Sequence, residues 1–411
     1  MRASGRLRAA AAASLVAALA LAGCGSQKAH THGPASARRT TVDVYASLPM
    51  QGARALQGAG VLNGIKLALA QAHYRAGRWR IRLKVRDDAS AGGGAWNAYM
   101  TARNAREAAT DPQAVYYIGE LDSDASEVSG PILNEAGVPQ VSPLSLYSGL
   151  TSTKASPVDP SGRPTFIRLA PSDIVESQQL MEEALHAGCS RLALVHDSSL
   201  DATALAAQLM ARRVQYGVQI PSEATLAAVT RNTPGFLNTV KSQGDRCLMF
   251  AGLSSPGAVA LMTSLAGATP RPLRLIGSDG VCTASFTNPG AGGLPAGAAS
   301  LFRCLAPAAN LADNELGRAF LNHYRETYAV LTPDPLAVYG YVAMQLGIDA
   351  IADLGSRGDD KEAVRGNLFA TRSEPSPLGT YSVARDGSTT LSAYGIYRVG
   401  AGGVPAYCGC Q

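Results

Sequence analysis

The chain has 411 residues, 46% hydrophobic and 16% charged, a composition that buries a sizeable core and excludes a largely disordered chain. Its 43 Gly and 23 Pro follow no Gly-X-Y period, which excludes collagen. The formal net charge of +5 is too small and too dispersed over this length to indicate a nucleic-acid partner.

Arg2, Arg6 and Arg8 form a basic start, followed by the apolar run Ala9 to Leu21 and then small residues. This is the layout of a secretory signal peptide. The run is shorter than the ~20 residues a membrane-spanning helix needs. It ends in Leu21-Ala22-Gly23-Cys24, which resembles the bacterial lipobox. That resemblance implies cleavage before Cys24, acylation of its thiol and new amino group, and attachment to the cell membrane. Loss of residues 1–23 removes three arginines and no acid, so the net charge falls to +2. Residues 24–40 are small, polar and aperiodic and read as a tether. The His30-Thr31-His32 within it reads as solvated rather than metal-binding.

From Thr41 the pattern alternates strands and helices. Val42 to Ala46 predicts a strand, Gly60 to His73 a helix, Ile81 to Val85 a strand, and Asn97 to Thr110 a helix. Ala114 to Gly119 predicts the third strand, Glu127 to Ala136 a short helix, and Pro139 to Ser142 the fourth strand. Thr165 to Leu169 crosses over, and the alternation restarts with a helix over 173–187, a strand over 191–196 and a helix over 202–216. Strands over 247–251, 274–277 and 299–305 follow, with a helix over 256–266. Such alternation means βαβ units and mostly parallel sheets, here two in succession. Phe320, Tyr324 and Tyr328 lie on one helical face and read as core. Thr380 to Tyr397, around Asp386-Gly387, reads as a β-hairpin.

Several stretches resemble, in order, the type I periplasmic solute-binding proteins that serve branched-chain amino acid ABC transporters. They are Tyr45 to Leu69, Asp87-Asp88, Tyr116 to Glu120, Gly130 to Pro143, Phe166-Ile167-Arg168 with Asp173, His196-Asp197, Gly277-Ser278-Asp279-Gly280, and Phe320, Tyr324 and Tyr328 leading to Tyr341. The resemblance implies an α/β fold of two Rossmann-like lobes with a hinge and a ligand cleft between them. The expected boundaries are residues 41–160 and about 308–375 for the N-terminal lobe, and about 161–307 and 376–411 for the C-terminal lobe. It implies capture of an amino acid or related small polar solute for an ABC permease, by a monomeric, membrane-anchored chain that needs no cofactor and no metal.

In this family the solute carboxylate meets hydroxyls and backbone N–H groups at loops that open helices. Carried over, those loops are Glu120 to Ser123 and Ser142 to Ser145, which nominates Ser123, Ser142 and Ser145; the other reading is that these hydroxyls only tie turns. Asp279 is expected to supply an acid from the second lobe. Where relatives carry Tyr-Gly, this chain has Asp201-Ala202. Asp201 reads equally as a solute ligand or a helix N-cap. With Glu120 and Asp122, which replace small neutral residues, it points to a more polar or cationic solute.

Enzyme readings lack their constellations. Gly252 to Gly257 has the wrong spacing for a nucleophile elbow. Gly58 to Gly64 carries one residue too many for a dinucleotide fingerprint and reads as close helix packing. His186 and His196 show no ligand spacing. A sensory module for a receptor, or an envelope protein of the same fold without a ligand, remain the competing readings.

Cys24 set aside, six cysteines remain, an even number suited to disulfides in an exported chain. The doubly wound strand order brings Cys189 to Cys247, as a disulfide or as two buried thiols, and Cys282 to Cys304. Cys408 and Cys410 remain as a tight local bridge or unpaired.

Overall fold

Val42, Val44, Ala46 and Leu48 alternate with Asp43, Tyr45 and Ser47 along β1 (Thr41–Leu48), and both sets are buried. A strand buried on both faces belongs in the middle of a sheet covered by helices on each side. The computed structural model describes residues 40–90, 94–151, 156–267 and 273–409, so Cys24, the tether and Cys410 lie outside the described residues.

The first sheet continues through α1 (Ala55–Gln71), β2 (Arg75–Ala76), β3 (Trp79–Asp87), α2 (Ala98–Thr110), β4 (Ala114–Ile118), α3 (Ser123–Glu135), β5 (Gln140–Ser142) and β6 (Phe166–Arg168). Its order is β2-β3-β1-β4-β5-β6, with β3, β1, β4, β5 and β6 parallel. Asn97 caps α2 by accepting from Met100 N.

The second sheet is built from α4 (Asp173–His186), β7 (Arg191–His196), α5 (Leu200–Arg212), β8 (Gln219–Thr225), α6 (Leu226–Arg231), α7 (Thr233–Gln243), β9 (Cys247–Ala251), α8 (Pro256–Gly267), β10 (Arg274–Gly277), the one-turn helices α9 (Ala284–Thr287) and α10 (Ala296–Ala299), and β11 (Phe302–Ala306). The chain then packs α11 (Glu315–Tyr328), α12 (Ala337–Asp353) and α13 (Lys361–Ala370) on the core of the first sheet. It returns to the second sheet with β12 (Gly395–Val399) and β13 (Pro405–Tyr407), giving the order β13-β12-β11-β10-β9-β7-β8.

Side chains of the second sheet also sort by parity. Ala193, Val195, Leu248 and Phe250 join one core, and Leu192, Leu194, Met249 and Ala251 the other. In the first lobe α1 and α12 touch backbone to backbone. A Cβ on Gly64 would lie 2.0 Å from Ala337 O, and one on Gly340 2.1 Å from Val61 O. Gly64 therefore serves helix packing, whereas Gly58 lies against Pro49 of the turn after β1 and Gly60 against Asp334. Phe320 and Tyr324 are buried, with ring centroids 5.5 Å apart, in the same core.

Cys189–Cys247 and Cys282–Cys304 are disulfides, with Cα–Cα distances of 5.9 and 5.3 Å. β7 and β9 are adjacent, as are β10 and β11, which is what brings each pair together. The hairpin expected over 380–397 is reduced to a short one around Asp386-Gly387: Val383 and Thr389 form an antiparallel bridge, Ala384 N donates to Ser388 O and Thr390 N to Ser382 O, and Ser388 bridges to Arg168 of β6. A separate antiparallel ladder joins β12 to β13. The edge strand β8, whose burial alternates, is an addition to the sequence-based strands.

Candidate functional site

The loops that follow β1, β4 and β5 in the first lobe meet those that follow β7, β9 and β10 in the second. This is the carboxyl-end crevice where open α/β sheets bind their ligands. Arg54, Leu121, Leu144, Leu146, Glu176 and Asp279 are among the residues lining the cleft, together with Asp201 and Leu253. The remaining space is about 10 Å³, room for roughly one water. A solute is admitted only when the lobes part.

Two helix N-termini face each other across this cleft. Asp201, second residue of α5, accepts from Ser123 N (3.1 Å), Ser123 Oγ (2.5 Å), Leu146 N (3.2 Å) and Tyr147 N (3.0 Å). Asp124, second residue of α3, accepts in return from Leu200 N at 2.8 Å. Each helix thus has a backbone donor at its start satisfied by an acid of the other lobe, a reciprocal capping that also places negative charge at both positive helix ends. Asp201 does not cap its own helix; Ser199 does, accepting from Ala202 N. Burial pushes the Asp201 carboxyl up to about 7, against the Ser123 donors and with Asp122 and Asp279 adding to it.

Among the described residues Arg54 is the one cation lining the cleft, and it is 2% exposed. Its Nη1 donates to Asp122 Oδ1 at 2.5 Å and its Nε to Gln57 Oε1 at 2.8 Å. Its Nη2 and Asp122 Oδ2 have no hydrogen-bond partner among the described residues. Burial works against the guanidinium charge, but Asp122, Asp279 and Asp201 outweigh it and raise the Arg54 pKa. Asp279 N donates to Glu176 Oε1 at 2.9 Å. Burial, and then mutual repulsion, raises Glu176 well above the usual carboxylate range, and burial raises Asp279 as well. Asp122, Asp201 and Asp279 thus act on one guanidinium, and a fourth carboxyl group, Glu176, lines the same cleft. Buried charge of one sign has to be neutralised, by protons or by a positively charged group.

The nominated residues divide into two sets. Ser123, Asp122, Asp201 and Asp279 come together at the cleft. Ser142 and Ser145 are buried behind it and tie the loop after β5: Ser142 Oγ donates to Glu120 O (2.7 Å) and accepts from Ser145 N (2.9 Å), and Ser145 Oγ lies 2.7 Å from Ser126 Oγ. Glu120 faces into the first lobe, accepting from Tyr117 Oη at 2.6 Å, with its pKa raised by burial beside the buried Asp88. Arg54 and Glu176 escaped the sequence reading. The available signal for Arg54 was a cation just before a largely apolar helix, where the helix dipole disfavours it.

Among the described residues no group of three or more His, Cys, Asp or Glu side chains is arranged to hold a metal ion, and no helix is long and apolar enough to cross a membrane.

Comparison with known proteins agrees with this architecture. No individually curated protein matches the chain at a significant level. A leucine-binding protein, LivK, of Thermotoga maritima is similar in structure, with a TM-score of 0.73 at 19% identity over 89% of this chain and 97% of that one. So is an ABC-transporter solute-binding protein of R. palustris in complex with benzoate (TM-score 0.73, 18% identity, 90% of this chain and 96% of that one). The substrate-binding protein LivJ of Streptococcus pneumoniae, in complex with isoleucine, gives a TM-score of 0.71 at 17% identity, covering 90% of this chain and all of that one. At these identities the likeness shows the fold. The model of the family described as "Periplasmic binding protein" matches residues 41–403, nearly the whole described chain, and the protein therefore belongs to the periplasmic binding protein family.

Proposed function

We propose that the chain captures a small polar solute of the amino-acid kind, carrying a positively charged nitrogen, between its lobes and delivers it to an ABC permease. The carrying observation is the imbalance of the cleft: four buried carboxyl groups against one guanidinium, walled by Leu121, Leu144, Leu146, Leu205 and Leu253. A cationic nitrogen takes the place of the protons that burial keeps on these carboxyl groups, and the leucines take an aliphatic portion. The structural relatives support the transport role, since they are solute-binding proteins of ABC transporters, one in complex with isoleucine.

In this reading the chain acts as a monomer outside the cytoplasm, held at the membrane by lipid on Cys24. It makes and breaks no bonds; parting and closing of the lobes presents the loaded cleft to the permease. The test is a thermal-shift screen of the purified chain against amino acids, their amides and small amines. At least one positively charged solute is expected to raise the melting temperature. A flat response across the panel contradicts the reading and favours an envelope protein that binds no such solute.

A further inference from the structure

Asp201 is held as a bound anion would be held. Its two oxygens receive four donors, all from the opposite lobe: the N–H that opens α3, the Ser123 hydroxyl, and two successive backbone N–H groups at 146 and 147. Three of the four are backbone groups, fixed in direction before any anion arrives. The Ser123 hydroxyl is itself positioned by accepting from Tyr147 N at 3.1 Å. The cradle belongs wholly to the first lobe and its occupant to the second, so filling it and closing the cleft are the same event.

We infer that Asp201 is an internal ligand: its carboxylate fills the anion cradle of the first lobe, latches the cleft shut, and makes the site selective for cationic solutes that lack a free carboxylate. A solute carboxylate competes with a side chain tethered at high effective concentration to the same donors. An amine or amide of the same skeleton meets no such competitor and still finds Asp279 and Glu176. This narrows the solute-binding reading and rests on it for the identity of the guest, but the latch itself does not depend on that reading.

The test is rescue of the truncated side chain by a free carboxylate. Asp201→Ala takes the acceptor away from all four donors, with the Tyr147 N–H keeping Ser123 Oγ, beside a gap of the size of the lost carboxylate. Acetate, with chloride as the ionic control, is expected to raise the melting temperature of Asp201→Ala and to bind it about tenfold or more tightly than wild type. Equal responses of the two proteins, or none from the variant, overturn the latch.

If Asp201→Ala does not fold, the isosteric Asp201→Asn is read by small-angle scattering. It is expected to show a larger radius of gyration than wild type without added solute, and an unchanged radius overturns the proposal. A matched pair, leucine against leucinamide, separates the two readings. Tighter binding of leucine by wild type defeats the selectivity and leaves solute capture standing, whereas acetate rescue with no response to any solute defeats capture and leaves the latch.

Discussion

Asp201 of the second lobe accepts both the backbone N–H and the hydroxyl of Ser123, the first residue of a helix in the first lobe. Two lobes with separate sheets and separate cores are thereby joined at the one place where a solute would have to pass between them. The contact is charged, nearly dry and made at helix ends, so small changes in it have large consequences for closure.

Ser123→Ala removes the hydroxyl and keeps the backbone N–H. Loss of one hydrogen bond to a charged acceptor costs about 1–3 kcal/mol. The expected result is a looser cleft, seen as a larger radius of gyration, with far-ultraviolet circular dichroism unchanged. A variant that melts and scatters like wild type would show that the hydroxyl does not help hold Asp201.

Arg54→Leu leaves Asp122 buried without its cation, which costs about 3–5 kcal/mol. Asp122→Leu in the same background removes the stranded charge and is expected to restore much of the loss. Urea denaturation of the two single variants and the double variant gives the coupling directly. Additive effects would mean that the ion pair, made at 2.5 Å, carries no interaction of its own.

Stability should fall as the pH rises from about 4 to about 7. Burial raises Asp201 to about 7 and Asp334 to about 6, so the folded chain keeps protons that the unfolded chain has released above about pH 4. More protons on the folded state means stability that is complete below the unfolded value and lost as the pH passes the folded one. The paired Asp111, whose pKa the bond from Lys84 holds down against burial, acts in the opposite sense only below about pH 4. Melting temperatures at pH 5 and pH 7.5 check this; a higher value at pH 7.5 would reverse the sign.

Replacing Cys189 and Cys247 by Ala opens a loop of 58 residues and should cost about 4 kcal/mol by loop entropy. The two strands it links also pair through their backbones, so the fold is expected to survive with a lower urea midpoint. An unchanged midpoint would mean that strand pairing already restrains the unfolded chain.

The lobes were legible in the sequence because alternating strands and helices are written in local periodicity, as in Val42 to Ala46 and Arg191 to His196. The disulfides followed from strand order. The cleft was legible only in part. Ser123, Asp122, Asp201 and Asp279 sit where loops leave strands, and that position is a local signal. Which of two hydroxyl loops faces the cleft is not local: Ser142 and Ser145 have the same chemistry as Ser123 but are turned back onto Glu120 and Ser126. Arg54 and Glu176 line the cleft only because distant loops of each lobe converge there, and sequence separations of 68 residues for Arg54–Asp122 and 103 for Glu176–Asp279 leave no short pattern to read.

The most direct test of solute capture in this cleft is a thermal-shift panel of amino acids, their amides and their decarboxylated amines, run on wild type and Asp279→Asn side by side. Amides or amines should raise the melting temperature of wild type more than the parent amino acids do, and Asp279→Asn should lose most of that rise. A larger rise with the amino acids, or the same rise in both proteins, would contradict a cation-selective cleft built around Asp279 and Asp201.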